Sequence, residues 1–545
     1  MPGRLLALLA GAACFAQSPA DLVLRNGRIW TGAEPAFVEA IAIRGNKVAA
    51  TGAFTPKWVG PRTRVVDLGG RMAMPGINDA HIHFLSGSIG LKQVDLTGAC
   101  TVEAMQRRVA DFARGNPNEP WITGRGWEYY CFPNARLPRK EDLDAAVRDR
   151  PVYLKAYDGH TGWANSMALR RAEVLKDTRF NGYGEIVRDP NGEPTGALKE
   201  GAMALVARHV PELTAAQKTE ALLRGLRLAA SLGITSMQNA SGTAEEVALY
   251  AAMPKTVRMS VAMTSGRATA EDIAQWAALR KRYSNGWMKV KAVKFMIDGV
   301  IESKTAAMLA PYADGSGEVG SAAWSEVDFK AAIARVNRAG FQIFTHAIGD
   351  RGVRLTLDAY EATGRLGRHR VEHIETVDAA DLQRFARLGV IASMQPIHAD
   401  PDGVEVWSKM IGPQRLPLSF AWRSLEQAGA RLVFSSDWPA CLAVNPWRGI
   451  HNAVNRRTSE GKPEGGWLPA QRVSVQTALK AYTSGAAYAS FEERIKGTLE
   501  PGKLADAIVL SQNLFEIDPV KIHETRVLFT LVDGKPVHDE LSAGR

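Results

Sequence analysis

A chain of 545 residues that is 46% hydrophobic and 23% charged is not disordered, and it has the length for one large domain with appendages or for two to three domains. Its formal net charge of +10 comes from basic residues scattered through stretches such as "RDRP", "RLGRHR" and "VNRRTSEGK". No basic stripe or nucleic-acid module is present, so a solvated basic surface is expected and a nucleic-acid partner is not.

The first sixteen residues read as a secretory signal. Arg4 supplies the positive region, "LLALLAGAACFA" the apolar run, and Ala16 a small residue for cleavage. The run is too short to span a bilayer, so no integral membrane span is expected and the protein should be exported, periplasmic or extracellular. The residues before Cys14 fit a lipoprotein anchor poorly. Removing the signal leaves Cys100, Cys131 and Cys441, with no Cys-x-x-Cys to suggest a zinc ribbon or a redox site. Cys100 and Cys131 are available for one bridge, but buried free thiols are the expectation.

Residues 20–75 hold short β-type runs separated by Gly and Asn turns, and residues 497–545 have the same character. A β-sandwich built from both chain ends would enclose residues 76–496. In that middle part apolar runs alternate with helical patterns, which predicts repeated βα units. "MAMPGINDAHIH" begins the series, followed by "GITSMQN", "VRMSVAMTS", "KVKAVKFMIDG", "FQIFTHAIGD", "HRVEHIE", "GVIASMQP" and "RLVFSSDWP". Eight strands fit an α/β fold of the (β/α)8, TIM-like barrel type, whose active site lies at the C-terminal strand ends. From about 85 to 230 the count advances by only one strand, so an inserted subdomain is expected near the barrel mouth. Its Trp127, Tyr129, Tyr130 and Trp163 either line a substrate pocket or pack the core of the insertion.

Polar residues fall at the strand ends. Residues two apart on a strand share a face, so His81 and His83 point the same way and can chelate one metal, with Asp79 behind them. His346, His373 and Asp437 each end an apolar run. Lys294 sits between Val293 and Phe295 in a run that should be buried, where an unpaired ammonium is costly. It either forms a salt bridge with Asp298, to which spacing alone gives the edge, or loses its proton and captures carbon dioxide as a carbamate.

With these residues the chain resembles the amidohydrolase superfamily, specifically its amidohydrolase family 3 or YtcJ-like branch. The similarity covers nearly the whole mature chain through "MPGINDAHIHF", "RPVYLKAYDGHTGWANSMAL", "VKFMIDGVIESKTAAM", "THAIGDRG", "RVEHIETVDAADLQRFARLGVIASMQPIHA", "FSSDWP" and "LEPGKLADAIVL". The resemblance implies His81, His83, Lys294, His346, His373 and Asp437 as ligands of one or two divalent metal ions, zinc first among them. It also implies a carbon-dioxide-derived carbamate on Lys294 and a substrate-facing His160. Asn239, where relatives often carry Asp, departs from the pattern and bears on pocket polarity.

The function implied is hydrolysis of a non-peptide C–N bond (an N-acyl, N-formyl or cyclic amide of a small molecule) by metal-activated hydroxide. Asp437 moves the proton. Trp127, His160 and Trp163 are expected around the substrate, and a homo-oligomer is left open. Ester, lactone or phosphotriester hydrolysis on the same centre is the alternative within the class, and a catalytically inactive scaffold the alternative outside it.

Overall fold

The computed structural model describes residues 19–364, 367–440 and 443–542. The expected signal at 1–16, Cys14 and Cys441 lie outside them. Eight strands form one parallel sheet in chain order: β1 Ile77–Ile82, β2 Ile234–Gly242, β3 Arg258–Thr264, β4 Met288–Met296, β5 Gln342–Ala347, β6 Arg370–His373, β7 Ile391–Met394 and β8 Arg431–Phe434. Most of their residues are buried on both faces, as the near-continuous apolar runs require. The barrel closes just past the strand ends, where the Asp437 amide donates to His81 O at 2.8 Å and the His83 amide to Trp438 O at 2.7 Å. This is the (β/α)8 barrel the sequence predicts.

Helices between the strands start where their sequences say they should. Thr214 and Gln217 form a capping box for Ala215–Ser231, and Thr269 and Asp272 do the same for Ala270–Tyr283. Leu222 and Leu226 of Ala215–Ser231 join the hydrophobic core around the barrel, so the insertion ends before this helix rather than near residue 230.

The first predicted strand is divided at Gly76. Met72–Pro75 pairs with Arg28–Trp30 and Ala507–Leu510, and only from Ile77 does the chain enter the barrel. A Cβ at Gly76 would stand 2.2 Å from Thr235 Cγ2, so the crossing needs glycine. The resulting six-stranded sheet mixes both chain ends. It shares a core with a four-stranded N-terminal sheet through Leu24, Ile41, Val509 and Phe529.

The insertion folds on its own six-stranded mixed sheet, in the order Gly184–Arg188, Pro194–Glu200, Thr161–Ala164, Val152–Ala156, Ile122–Trp127, Val94–Asp95. The expectation of free thiols is corrected here, because Cys100 and Cys131 form a disulfide with their Cα atoms 4.5 Å apart. Val94–Asp95 and Ile122–Trp127 are parallel neighbours, so the segments leaving their ends meet, a pairing visible only once the sheet is known.

Candidate active site

The C-terminal ends of the strands bring His81, His83, Lys294, His346, His373 and Asp437 together. Asp437 Oδ1 stands 3.3 Å from Nε2 of both His81 and His83, and Asp437 Oδ2 stands 3.7 Å from His373 Nδ1. The rings of His81 and His373 are 4.9 Å apart between centroids, and those of His346 and His373 4.5 Å. Two of these residues have left-handed backbone, His373 at φ 74° and Asp437 at φ 54°. For residues other than glycine this costs on the order of 1–3 kcal/mol, and such strain clusters at functional sites. Close packing holds the turn after β8. Trp438 lies against Gly87 of the helix Phe84–Gly90, where a Cβ would meet the indole at 2.2 Å.

Each imidazole has one nitrogen held by a supporting partner. His81 Nδ1 bonds Glu372 Oε2 at 2.6 Å, His83 Nδ1 bonds Ser241 Oγ at 3.0 Å, His373 Nδ1 bonds Gln395 Oε1 at 2.8 Å, and His346 Nε2 bonds Gly299 O at 3.1 Å. Such partners fix ring orientation and leave the opposite nitrogen for a ligand. Glu372 is itself clamped by the buried Arg370 guanidinium at 2.7 and 2.8 Å. Burial would raise Glu372, but Arg370 and His81 hold it well below the usual carboxylate range.

Burial, with Lys294 close by, lowers His81 to about 4, and burial drives His346 and His373 well below their ordinary values. Burial thus favours in all three the neutral ring, which has a lone pair to give. Burial alone would raise Asp437, yet the surrounding histidines hold it well below the carboxylate range. His373 Nε2 and Asp437 Oδ1 are buried and accept or donate no hydrogen bond. Neutral imidazoles facing a carboxylate with unused ligand atoms fit a divalent cation. Tetrahedral ligands about 2.1 Å from an ion stand about 3.4 Å from one another, close to the 3.3 Å separations here. One ligand atom from each of His81, His373 and Asp437 falls within 4.8 Å of the others.

Lys294 does not pair with Asp298. Its Nζ bonds His81 Nε2 at 3.3 Å, and burial lowers its ammonium below the ordinary value. Asp298 instead accepts the amides of Ala307, Ile348 and Gly349 at 3.0, 3.1 and 2.9 Å, fastening the loops after β4 and β5. Asn239 is likewise structural. It is buried and accepts the Phe84 amide at 3.0 Å and the Tyr250 hydroxyl at 3.1 Å, so it sets helix placement rather than pocket polarity.

The insertion delivers His160 to this cluster, with its ring centroid 5.5 Å from that of His346. His160 Nδ1 bonds Glu200 Oε2 at 2.9 Å. Burial would lower His160, but Glu200 outweighs it and raises the imidazole to about 9. Trp127 and Trp163 are corrections. Both are fully buried, edge to face with each other and with Phe132 in the core of the insertion, and the Trp163 indole donates to Arg139 O. Their size and apolar area win out over pocket lining. Tyr129 is buried too, whereas Tyr130 lines a cavity of ≈ 300 Å³ that opens above His83, His160, His373 and Asp437.

Sequence reasoning missed Glu372, Gln395 and His398. Gln395 follows the apolar run of β7, and the strand-end criterion that singled out His346 would have found it. His398, two residues beyond Pro396, places Nε2 3.5 Å from Asp437 Oδ2.

Residues 64–538 match the family model described as "Amidohydrolase family". The chain is 31% identical to Protein LONG AFTER FAR-RED 3 of Arabidopsis thaliana, covering 95% of this chain and 92% of that protein. It is 26% identical to N-substituted formamide deformylase of Arthrobacter pascens, covering 94% and 97%. Among solved structures it superposes on an uncharacterized metal-dependent hydrolase from Pyrococcus horikoshii OT3 with a TM-score of 0.73 at 26% identity, covering 91% of this chain and 99% of that one.

Proposed function

The chain belongs to the amidohydrolase family, and from that premise we propose that it is a metal-dependent hydrolase of a non-peptide carbon–nitrogen bond in a small molecule, an N-acyl, N-formyl or cyclic amide. The observation that carries this reading is the set of buried ligand atoms on His81, His373 and Asp437, two of them without hydrogen-bond partners. The name of the formamide deformylase relative favours an amide carbonyl as the reacting group.

One or two divalent ions, with zinc as our assignment, would be held by His81, His83, His346, His373 and Asp437, and would supply an activated water and a polarised carbonyl. Lys294, carboxylated by carbon dioxide, would add an anionic ligand. Its amine lies at His81 Nε2, and Asp298, the counter-ion that spacing suggested, is occupied elsewhere. Asp437, held ionised, takes a proton from the attacking water and returns it to the departing nitrogen. The His160 imidazolium, fixed by Glu200, donates to the oxygen that gains charge.

Export is proposed as well. The Cys100–Cys131 disulfide suits an oxidising compartment, and among the described residues no helix is long and apolar enough to cross a membrane.

A panel of amides, esters, lactones and phosphotriesters tests the reaction. Turnover of amides is expected to exceed that of the others, to vanish on chelation and to return with zinc. Turnover of esters with none of any amide would overturn the reading. Bound metal is expected in the purified protein, and its absence with no activation by zinc would favour the inactive scaffold. A mass increment of one carbon dioxide on Lys294 is expected in the native holoenzyme, and an unmodified amine in active enzyme would remove the carbamate.

A further inference from the structure

The cavity above the candidate metal ligands has a charge opposite to that of the molecule. The chain carries a formal +10, yet Glu128, Asp158, Glu302, Glu375, Asp400 and Asp402 all line this cavity in addition to Asp437. Among the described lining residues, the Lys and Arg side chains facing them are Lys294 and Arg448. Lys294 is on the floor against His81, and Arg448 pairs with Asp400 at 3.0 Å.

Three of the six carboxylates are accounted for within the protein. Asp400 has Arg448. Glu375 accepts the Trp407 indole at 2.8 Å and faces His398 Nδ1 at 3.3 Å. Asp158 accepts the Tyr129 hydroxyl at 3.0 Å and the His160 amide at 2.9 Å. Glu302, Glu128 and Asp402 are different. Glu302 accepts the Tyr157 hydroxyl at 2.6 Å, a single neutral donor that brings no counter-charge. Glu128 is buried beside the Tyr130 hydroxyl with Asp400 and Asp402 nearby. Burial, then crowding by other carboxylates, raises Glu302 to about 8 and Glu128 to about 7.

Arg448 is shared among Asp400, Glu128 and Asp402, and Lys462 acts on Asp402 as well, so the wall holds more carboxylates than cations. Carboxylates so crowded are costly to ionise, and a bound cation is what would hold Glu302 and Glu128 in their charged form near neutral pH. The same cavity holds the buried, unpartnered His373 Nε2 and Asp437 Oδ1 on its floor, so the acidic wall belongs to a place built for a ligand. Tyr130 and Tyr157 present aromatic rings beside Glu128 and Glu302, and ring faces with carboxylates form a receptor for organic cations.

We propose that the substrate carries a fixed positive charge, an alkylammonium or guanidinium group, held by Glu302, Glu128 and Asp402 against Tyr130 and Tyr157 while its amide reaches His81, His373 and Asp437. This rests on the amide-hydrolase reading and gives it a substrate class. It also assigns Glu302, Glu128 and Asp402 as specificity determinants.

Two measurements on the zinc-loaded full chain test it. The first is calorimetric binding of butylguanidinium against its neutral isostere butylurea. The guanidinium stays protonated and has no lone pair to give a metal. It is expected to bind at least about tenfold tighter, the value of one charge-assisted contact. Equal affinities, or tighter binding of the urea, overturn the proposal. The second compares kcat/KM for N-formyl-1,4-diaminobutane and N-formylpentylamine, in which an ammonium replaces a methyl group. The diamine derivative is expected to lead by at least about tenfold, and Glu302→Gln and Asp402→Asn should each shrink that ratio. Loss of both activities in equal proportion marks damage to the fold and overturns the assignment of that residue. Asp402 is exposed at the rim, so its variant is expected to fold. If no amide is turned over while butylguanidinium binds selectively, the reaction reading fails and the cation site stands. If amides are turned over without preference for charge, the reverse holds.

Discussion

The two ends of the barrel bury charge in opposite ways. At the N-terminal end Arg258 opens β3, and its guanidinium binds Asp506 at 2.9 Å and Asp533 at 2.7 Å while covering the Trp287 ring at 4.3 Å. Nearby, Glu492 takes both Lys289 at 2.8 Å and Lys496 at 2.7 Å, and Lys496 also reaches Ser236. Every charge in these clusters has its counter-charge, and Asp506 and Asp533 reach the barrel from the sandwich at the C-terminal end of the chain. At the C-terminal end of the barrel His373 Nε2 and Asp437 Oδ1 are just as buried and make no hydrogen bond. A closed polar cluster fastens domains, whereas an open one is poised to bind and react.

The sharpest way to break this contrast is Asp437→Asn. Turnover should fall by at least about a thousandfold while the fold and melting temperature are kept, because the residue accepts a proton and holds little together. Near-native turnover would end its role as base. Asp506→Ala should do the opposite. It deprives the Arg258 guanidinium, 5% exposed, of the more buried of its two carboxylates, so urea unfolding should show a loss of about 3–5 kcal/mol. The kcat/KM of the molecules still folded should stay unchanged, and a selective loss of turnover would blur the division between the ends. Between the two stands Gln395→Leu, which removes the partner of His373 Nδ1 and should weaken zinc binding by about tenfold to a hundredfold, read by competition with a chelating dye.

The same contrast explains what was legible in the sequence. Strands that end in His, Lys or Asp stand out against apolar runs, so the barrel and the convergence of His81, His83, Lys294, His346, His373 and Asp437 could be read from periodicity and resemblance. Trp127 and Trp163 could not be assigned, because an aromatic side chain in an insertion looks alike whether it packs a core or faces a pocket. Glu372 and Gln395 act through the histidines they orient, and Glu302 and Glu128 reach the cavity from loops whose position depends on the insertion and the segment after β4. The Cys100–Cys131 bridge depends on strand order within the insertion's own sheet. Contacts between distant segments of this kind leave no local pattern.

The smallest predicted effect bears on His160, the proton donor that the insertion contributes. Glu200 raises His160 from its ordinary 6.5 to about 9, against the pull of burial, and His160 in turn lowers Glu200. A raised histidine stabilises the fold fully below about pH 6.5 and loses that contribution as pH climbs through 9. A lowered glutamate has its contribution present above its ordinary 4.5 and loses it as pH falls through its folded value. The pair is therefore complete from mildly acidic to neutral conditions and weakens on the alkaline side. If the imidazolium is the donor to the substrate oxygen, the basic limb of the rate profile follows the same titration. Glu200→Gln keeps a hydrogen-bond acceptor but removes the charge, so burial prevails and the basic limb should move to lower pH with only a modest fall in the maximal rate. A limb that stays in place would mean that His160 orients the insertion without giving a proton, and donation to the substrate oxygen would then fall to the barrel residues alone.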